Sequence, residues 1–143
     1  MGRGIAIELA KRGATVLLTY AKFLKGADQT VADITAAGGK ATAVQAEGTD
    51  AEVAARSILA KALEQSDGGI DIIVNNAADG TDQTFEETDT VVFDRIMHIN
   101  VLFPMMLVKV CKPHLRKGAR VVNISSTAAR VSRFKCLQLF MLS

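Results

Sequence analysis

A chain of 143 residues, 49% of them apolar and none of them Trp, has room for one domain with an aliphatic core and little more. Its formal net charge of +2, with acidic and basic residues interspersed, supplies no field for binding nucleic acid through phosphate neutralisation. Cys111 and Cys136 have neither zinc-ligand spacing nor neighbouring His residues, so no metal site is expected, and a reduced pair in the cytoplasm is.

The opening segment GRGIAIELAK predicts a helix, with Ile5 and Leu9, and Ala6 and Ala10, recurring four apart, closed by a left-handed cap at Gly13. TVLLTY, residues 15–20, is a short β-rich run. A second helix is expected around 27–37, with Val31 and Ile34 inward and Gly38-Gly39 as its stop; KATAVQA then alternates as a strand. Thr49 and Glu52 have capping-box spacing, opening a third helix on which Ile58, Leu59, Ala62 and Leu63 share a face. IDIIVNNAA is a continuous apolar run ending in two amides, the pattern of a buried parallel strand reaching a polar rim. One long helix over about 89–115 follows, then ARVVNISS as another buried strand. The apolar run VLFPMMLV within that helix is too short to span a bilayer and no signal-peptide core opens the chain, so a cytoplasmic protein without a membrane partner is expected. Strands alternating with helices predict a parallel sheet covered on both faces.

In such sheets chemistry gathers beyond the carboxyl ends of the strands. Those ends are Thr19-Tyr20, Glu47-Gly48, residues 75–78 and Ser125-Ser126. Asn75 and Asn76 could hold a ribose or merely satisfy a turn. The serines could be a nucleophile, a hydrogen-bond donor to a carbonyl, or ordinary strand-end polarity; no Asp and His partners accompany them. Asn100 shares a helical face with Ile96, Phe103, Leu107 and Val110, which points an amide among apolar side chains where it needs a partner or a water. His98 and His114 stand too far apart for a metal pair and are read as solvated or locally bonded.

Four segments in order, GRGIAIELAKRGATVLLTY, DIIVNNAA, FDRIMHIN and VVNISS, resemble the short-chain dehydrogenase/reductase family, on the side of the fungal polyhydroxynaphthalene and versicolorin-type ketoreductases. The resemblance implies a Rossmann-like, doubly wound parallel sheet over residues 1–130, with 131–143 as an unrelated-looking tail. It also implies an incomplete one, truncated at both ends. Gly2 matches the last glycine of the family's T-G-x-x-x-G-x-G loop, and the strand before that loop belongs between the strands at 15–19 and 70–75. Without it, two strand edges are left unpaired.

The roles implied by the resemblance fall on individual residues. Ser126 would hydrogen-bond the substrate carbonyl, and Asn100 would hold a proton-relay water and the helix kink. Gly2, Tyr20, Lys22, Glu47, Asn75 and Ala77 would line the cofactor. Glu47 stands where the family has an Asp beside the adenine. The strand ending at Thr19 has no acidic residue for a free 2′-hydroxyl, which favours NADP over NAD. Lys22, with Arg3 as second choice, would meet the extra phosphate, or both are solvated surface charges. The family's proton donor is a Tyr followed four residues later by Lys. After Arg130 the chain reads VSRFKCLQLFMLS, with Lys135 and no Tyr, as a retained intron or broken gene would read. The expectation is an NADP-dependent oxidoreductase acting on a ketone or alcohol, with impaired catalysis, and the resemblance implies an aromatic polyketide of secondary metabolism as the substrate. The alternative is a non-catalytic remnant that binds nucleotide weakly or pairs with an intact homologue. A homo-oligomer or such a pairing would use the helix at 89–115.

Overall fold

The computed structural model describes residues 1–46, 50–81, 84 and 86–126. The elements run α1 Gly2–Lys11, β1 Thr15–Tyr20, α2 Leu24–Ala36, β2 Lys40–Gln45, α3 Ala51–Gln65, β3 Ile70–Asn75, α4 Thr90–Met97, a π-helical turn His98–Leu102, α5 Phe103–Cys111, a 3₁₀ turn Lys112–His114 and β4 Leu115–Asn123. The predicted α/β alternation is therefore present. Gly13 and Gly38 take φ of +89° and +81°, the left-handed exits that end α1 and α2 and turn the chain back into a strand.

The small side chains of α1 let it lie close to its neighbours. Ala6 and Ala10 are buried with Ile34 of α2, and Ile7, Val16 and Ala41 close the cluster. A Cβ on Gly39 would stand 2.8 Å from Ile34 Cγ2 and 3.3 Å from Ala10 Cβ, so Gly39 is required by contact rather than by backbone angle. Ala51, Ala54, Ala55 and Ile58 form the inner face of α3, which packs against α5.

Several expectations are corrected. The pairing itself is as expected of an incomplete parallel sheet: β1 pairs with β2 and β3 with β4, both parallel, as two two-stranded sheets. β3 and β4 are consequently not buried strands; Ile72 is 45% exposed and Val121 and Val122 are each 41% exposed, because each strand has a neighbour on one edge only. α2 begins at Leu24 rather than near residue 27. Asp50, not Thr49, caps α3, its Oδ1 accepting from the Glu52 and Val53 N–H groups at 3.0 and 3.1 Å; Thr49 itself lies outside the described residues. The single helix at 89–115 is broken by the π turn, and Leu115 belongs to β4. Within the helical stretch Thr90–His114, 25 residues long, an 18-residue window has a mean hydropathy of 1.6, so by length and composition alone it is long and apolar enough to cross a bilayer, a test that the core helix of a globular domain also passes. Its Ile96 and Cys111 are buried against the protein.

Asp50→Ala is expected to lower stability by about 1 kcal/mol and Asp50→Asn by much less, because only the former removes the cap acceptor. Urea unfolding of the two variants checks this, and equal midpoints would show that the helix start is held by something else.

Candidate functional site

The Gly13 turn reverses the chain between α1 and β1, so the N-terminus of α1 lies at the carboxyl end of β1. It also meets the residue after β3: a Cβ on Gly2 would come within 2.8 Å of Asn76 Nδ2. Glycine lets the helix end approach this amide without displacing it. No side chain caps α1 and its first turn holds no acidic residue, so its leading N–H groups and positive dipole end face the strand termini without an internal carboxylate.

A cavity of about 450 Å³ runs from this point between β1 and β3. Gly2, Tyr20, Asn75 and Ala77 lie on its wall, as does Arg3; Lys22, Asn100 and Ser126 do not. Tyr20 is half-buried and its carbonyl accepts from Ala46 N–H at 2.9 Å. Lys22 and Ala77 are exposed. Arg3 is ion-paired with Asp33 of α2, whose carboxyl is held below its ordinary pKa by hydrogen bonds from Gln29 and Arg3. Ser126 is exposed beyond the end of β4. Glu47 lies outside the described residues.

Asn75 is fixed twice. Its Nδ2 donates to Asn123 Oδ1 at 2.7 Å, and its carbonyl accepts from Ile124 N–H at 2.9 Å. Asn123 escaped the sequence reading, although it faces Asn75 in the parallel register and its place before the two serines was in view. The pair draws the ends of β3 and β4 together on the approach to Ser126.

Asn100 sits in the π turn, and Asp79 partners its amide: Oδ1 accepts Asp79 N–H at 2.8 Å and Nδ2 donates to Asp79 O at 3.2 Å. The amide thereby grips the backbone of the segment leaving β3. Asp79 is the second residue the sequence reading missed. Its Oδ1 accepts from Thr81 N–H at 3.0 Å and from Thr81 Oγ1 at 2.6 Å, and its Oδ2 accepts from Arg95 Nε at 2.8 Å. Arg95 Nη2 also donates to Thr81 Oγ1 at 2.9 Å. The Asp-Gly-Thr string is an Asx-turn signature that could have revealed it. Burial would raise the Asp79 carboxyl, but hydrogen bonds from Thr81 and Arg95 prevail and hold it below 3.8.

One expectation, for His98, changes, and the one for Cys111 does not. His98 is not solvated: its Nε2 is buried and has no partner among the described residues. Cys111 is a buried free thiol whose pKa is raised by burial, the opposite of what a nucleophile needs. Among the described residues no group of three or more His, Cys, Asp or Glu could hold a metal ion.

A family model described as short chain dehydrogenase matches residues 1–137. The curated short-chain dehydrogenase/reductase FrzI of Cladobotryum sp is 44% identical over 130 residues, 91% of this chain and 50% of the relative. The hydroxynaphthalene reductase-like protein Arp2 of Metarhizium majus is 36% identical over 132 residues, 92% of this chain and 49% of the relative. The crystal structure of the landomycin C-6 ketoreductase LanV, with bound NADP and rabelomycin, superposes with a TM-score of 0.89 at 30% identity, over 98% of this chain and 59% of that one. The chain thus spans about half the length of the curated relatives it matches.

Asn100→Ala removes both grips on residue 79 and is expected to cost about 1–3 kcal/mol, with faster hydrogen exchange at the Asp79 and Thr81 amides. Because the folded Asp79 carboxyl is lowered, its contribution is full above about pH 4 and is lost as pH falls through the folded value. Asp79→Asn should therefore flatten the acid limb of stability against pH; an unchanged limb would refute the assignment.

Proposed function

This chain belongs to the short-chain dehydrogenase family, and from that premise we propose that it is the dinucleotide-binding part of an NADP-dependent oxidoreductase that interconverts a ketone and an alcohol. The observation that carries the reading is the meeting of the α1 N-terminus with the strand ends, where a Cβ on Gly2 would press on the Asn76 amide. Helix N–H groups without a side-chain cap or first-turn carboxylate suit a pyrophosphate, so the residues present fit the cofactor. Gly2 would face the pyrophosphate, Asn75 the adenosine-side ribose, Tyr20, Lys22 and Glu47 the rest of the adenosine side, and Ala77 would line the cofactor beside Asn75. Lys22, exposed just after β1, is the better candidate for the 2′-phosphate than Arg3, which Asp33 already engages. When bound, the dinucleotide supplies or takes up the hydride.

Ser126 would donate its hydroxyl hydrogen to the carbonyl oxygen of the substrate. Asn100 would act at one remove, by fixing the segment after β3 through Asp79. The ketoreductase among the structural neighbours was captured with rabelomycin, which supports an aromatic polyketide as the substrate class. We further infer that residues 1–130 form the nucleotide domain, that 131–143 are a distinct tail, and that the protein works in the cytoplasm. The face carrying Val91 and Met105, 72% and 54% exposed, would serve self-association or pairing with a homologue.

The competing reading is a non-catalytic chain that binds the nucleotide without turning over a substrate. Consumption of NADPH with a bicyclic aromatic ketone separates the two. Turnover abolished in Ser126→Ala supports the enzyme, turnover indifferent to that change removes Ser126 from the site, and none at all leaves the remnant.

Binding is tested by NADPH fluorescence titration. Lys22→Glu should weaken NADPH on the order of tenfold, about 1.4 kcal/mol, and leave NADH nearly unchanged. Gly2→Ala should weaken both, since the new methyl displaces the Asn76 amide. Equal losses of NADPH and NADH in Lys22→Glu would remove that residue from the phosphate site.

A further inference from the structure

The segment that leaves β3 is held at both ends of a very short run. At Asn76 it lies against the α1 N-terminus, where a Cβ on Gly2 would come within 2.8 Å of the side-chain amide. At residue 79, five hydrogen bonds meet: two with Asn100, two with Thr81 and one with Arg95. The intervening chain reaches at most about 10 Å, so play at 79 is passed on to Asn76 and Ala77, which line the cavity at the α1 N-terminus.

Arg95 holds this segment from a firmly set helix. α4 begins at a capped turn, Asp89 Oδ1 accepting from Val92 N–H at 2.8 Å, and the residue after Arg95, Ile96, is only 3% exposed. From there the guanidinium forks: Nε donates to Asp79 Oδ2 at 2.8 Å and Nη2 to Thr81 Oγ1 at 2.9 Å. The Asp79 side chain is 15% exposed, so solvent and salt screen this pair less than they screen an ordinary surface pair. A planar fork on two acceptors sets the direction of the segment as well as its distance from the helix. Neither Arg95 nor Asp79 lines the cavity.

We propose that Arg95 is a positioning residue for the dinucleotide: through Asp79 and Thr81 it holds the strut at 76–79 against α4, and cofactor affinity at the α1 N-terminus is thereby coupled to an ion pair outside the cavity. The inference rests on the cofactor reading above. Asn100 keeps its hold on the main chain of residue 79 whatever happens to the side chain, so loss of the ion pair weakens binding by degrees and does not abolish it. Coupling between two sites is reciprocal. Bound dinucleotide must therefore quieten the segment in turn.

The test uses the full 143-residue chain and NADPH, followed by its fluorescence and by amide hydrogen exchange. Arg95→Met removes both donors and should weaken NADPH on the order of fivefold. Arg95→Lys, which returns a cation to Asp79, should recover most of that loss. Asp79→Asn should match Arg95→Met, and the double variant should be no weaker than either single one, because the two side chains act as one contact. In the wild-type chain NADPH should slow exchange at the Asp79 and Thr81 amides, and in Arg95→Met it should slow them less. Additive losses in the double variant, wild-type affinity in Arg95→Met, no recovery in Arg95→Lys, or exchange at these amides indifferent to NADPH would each overturn the inference and leave the cofactor reading intact. No binding by the wild-type chain would overturn both.

Discussion

A parallel strand covered by helices has to find main-chain partners along both edges, because neither water nor a side chain can substitute along its length. In this protein that requirement is met along one edge of β1 and one edge of β3, and nearly everything distinctive about the structure follows. The separation of the four strands into two sheets, the exposure of Ile72 and the elongated cavity flanked by helices are one fact seen from different sides. Apolar strand composition and partial exposure are incompatible in an isolated sheet.

The polar end of the cavity shows the complementary arrangement. Where the strands finish, side-chain amides take over from the sheet ladder: Asn75 with Asn123 across β3 and β4, and Asn100 with the backbone beyond β3. These contacts fix the strand ends without using the α1 N-terminus, which stays available to an anionic group. Order at the rim therefore does not depend on completing the sheet at its centre.

Much of this was legible in the sequence. The strands at 15–20 and 40–45 and the stops at Gly13 and Gly38 follow from local pattern, since a two-residue alternation and a positive-φ glycine are decided within a few residues. Burial of β3 and β4 was not, because an apolar run states what a strand prefers and not whether a neighbour arrives. The cap of α3 was misplaced by one residue for a related reason: Thr49 and Asp50 are both good caps, and the choice rests on backbone geometry. Asn100 was read as an amide in need of a partner, but its partner lies 21 residues away in the chain. Asp79 was overlooked because its local signature, an Asx turn, belongs equally to any surface loop.

The grip on residue 79 has an evolutionary corollary. Asn100 reads only the main chain of that residue, whereas Thr81 and Arg95 read its carboxylate. The two attachments are thus separable under mutation. A change of side chain at 79 forfeits one set of bonds and spares the other, so drift at 79 is buffered while drift at 100 is not.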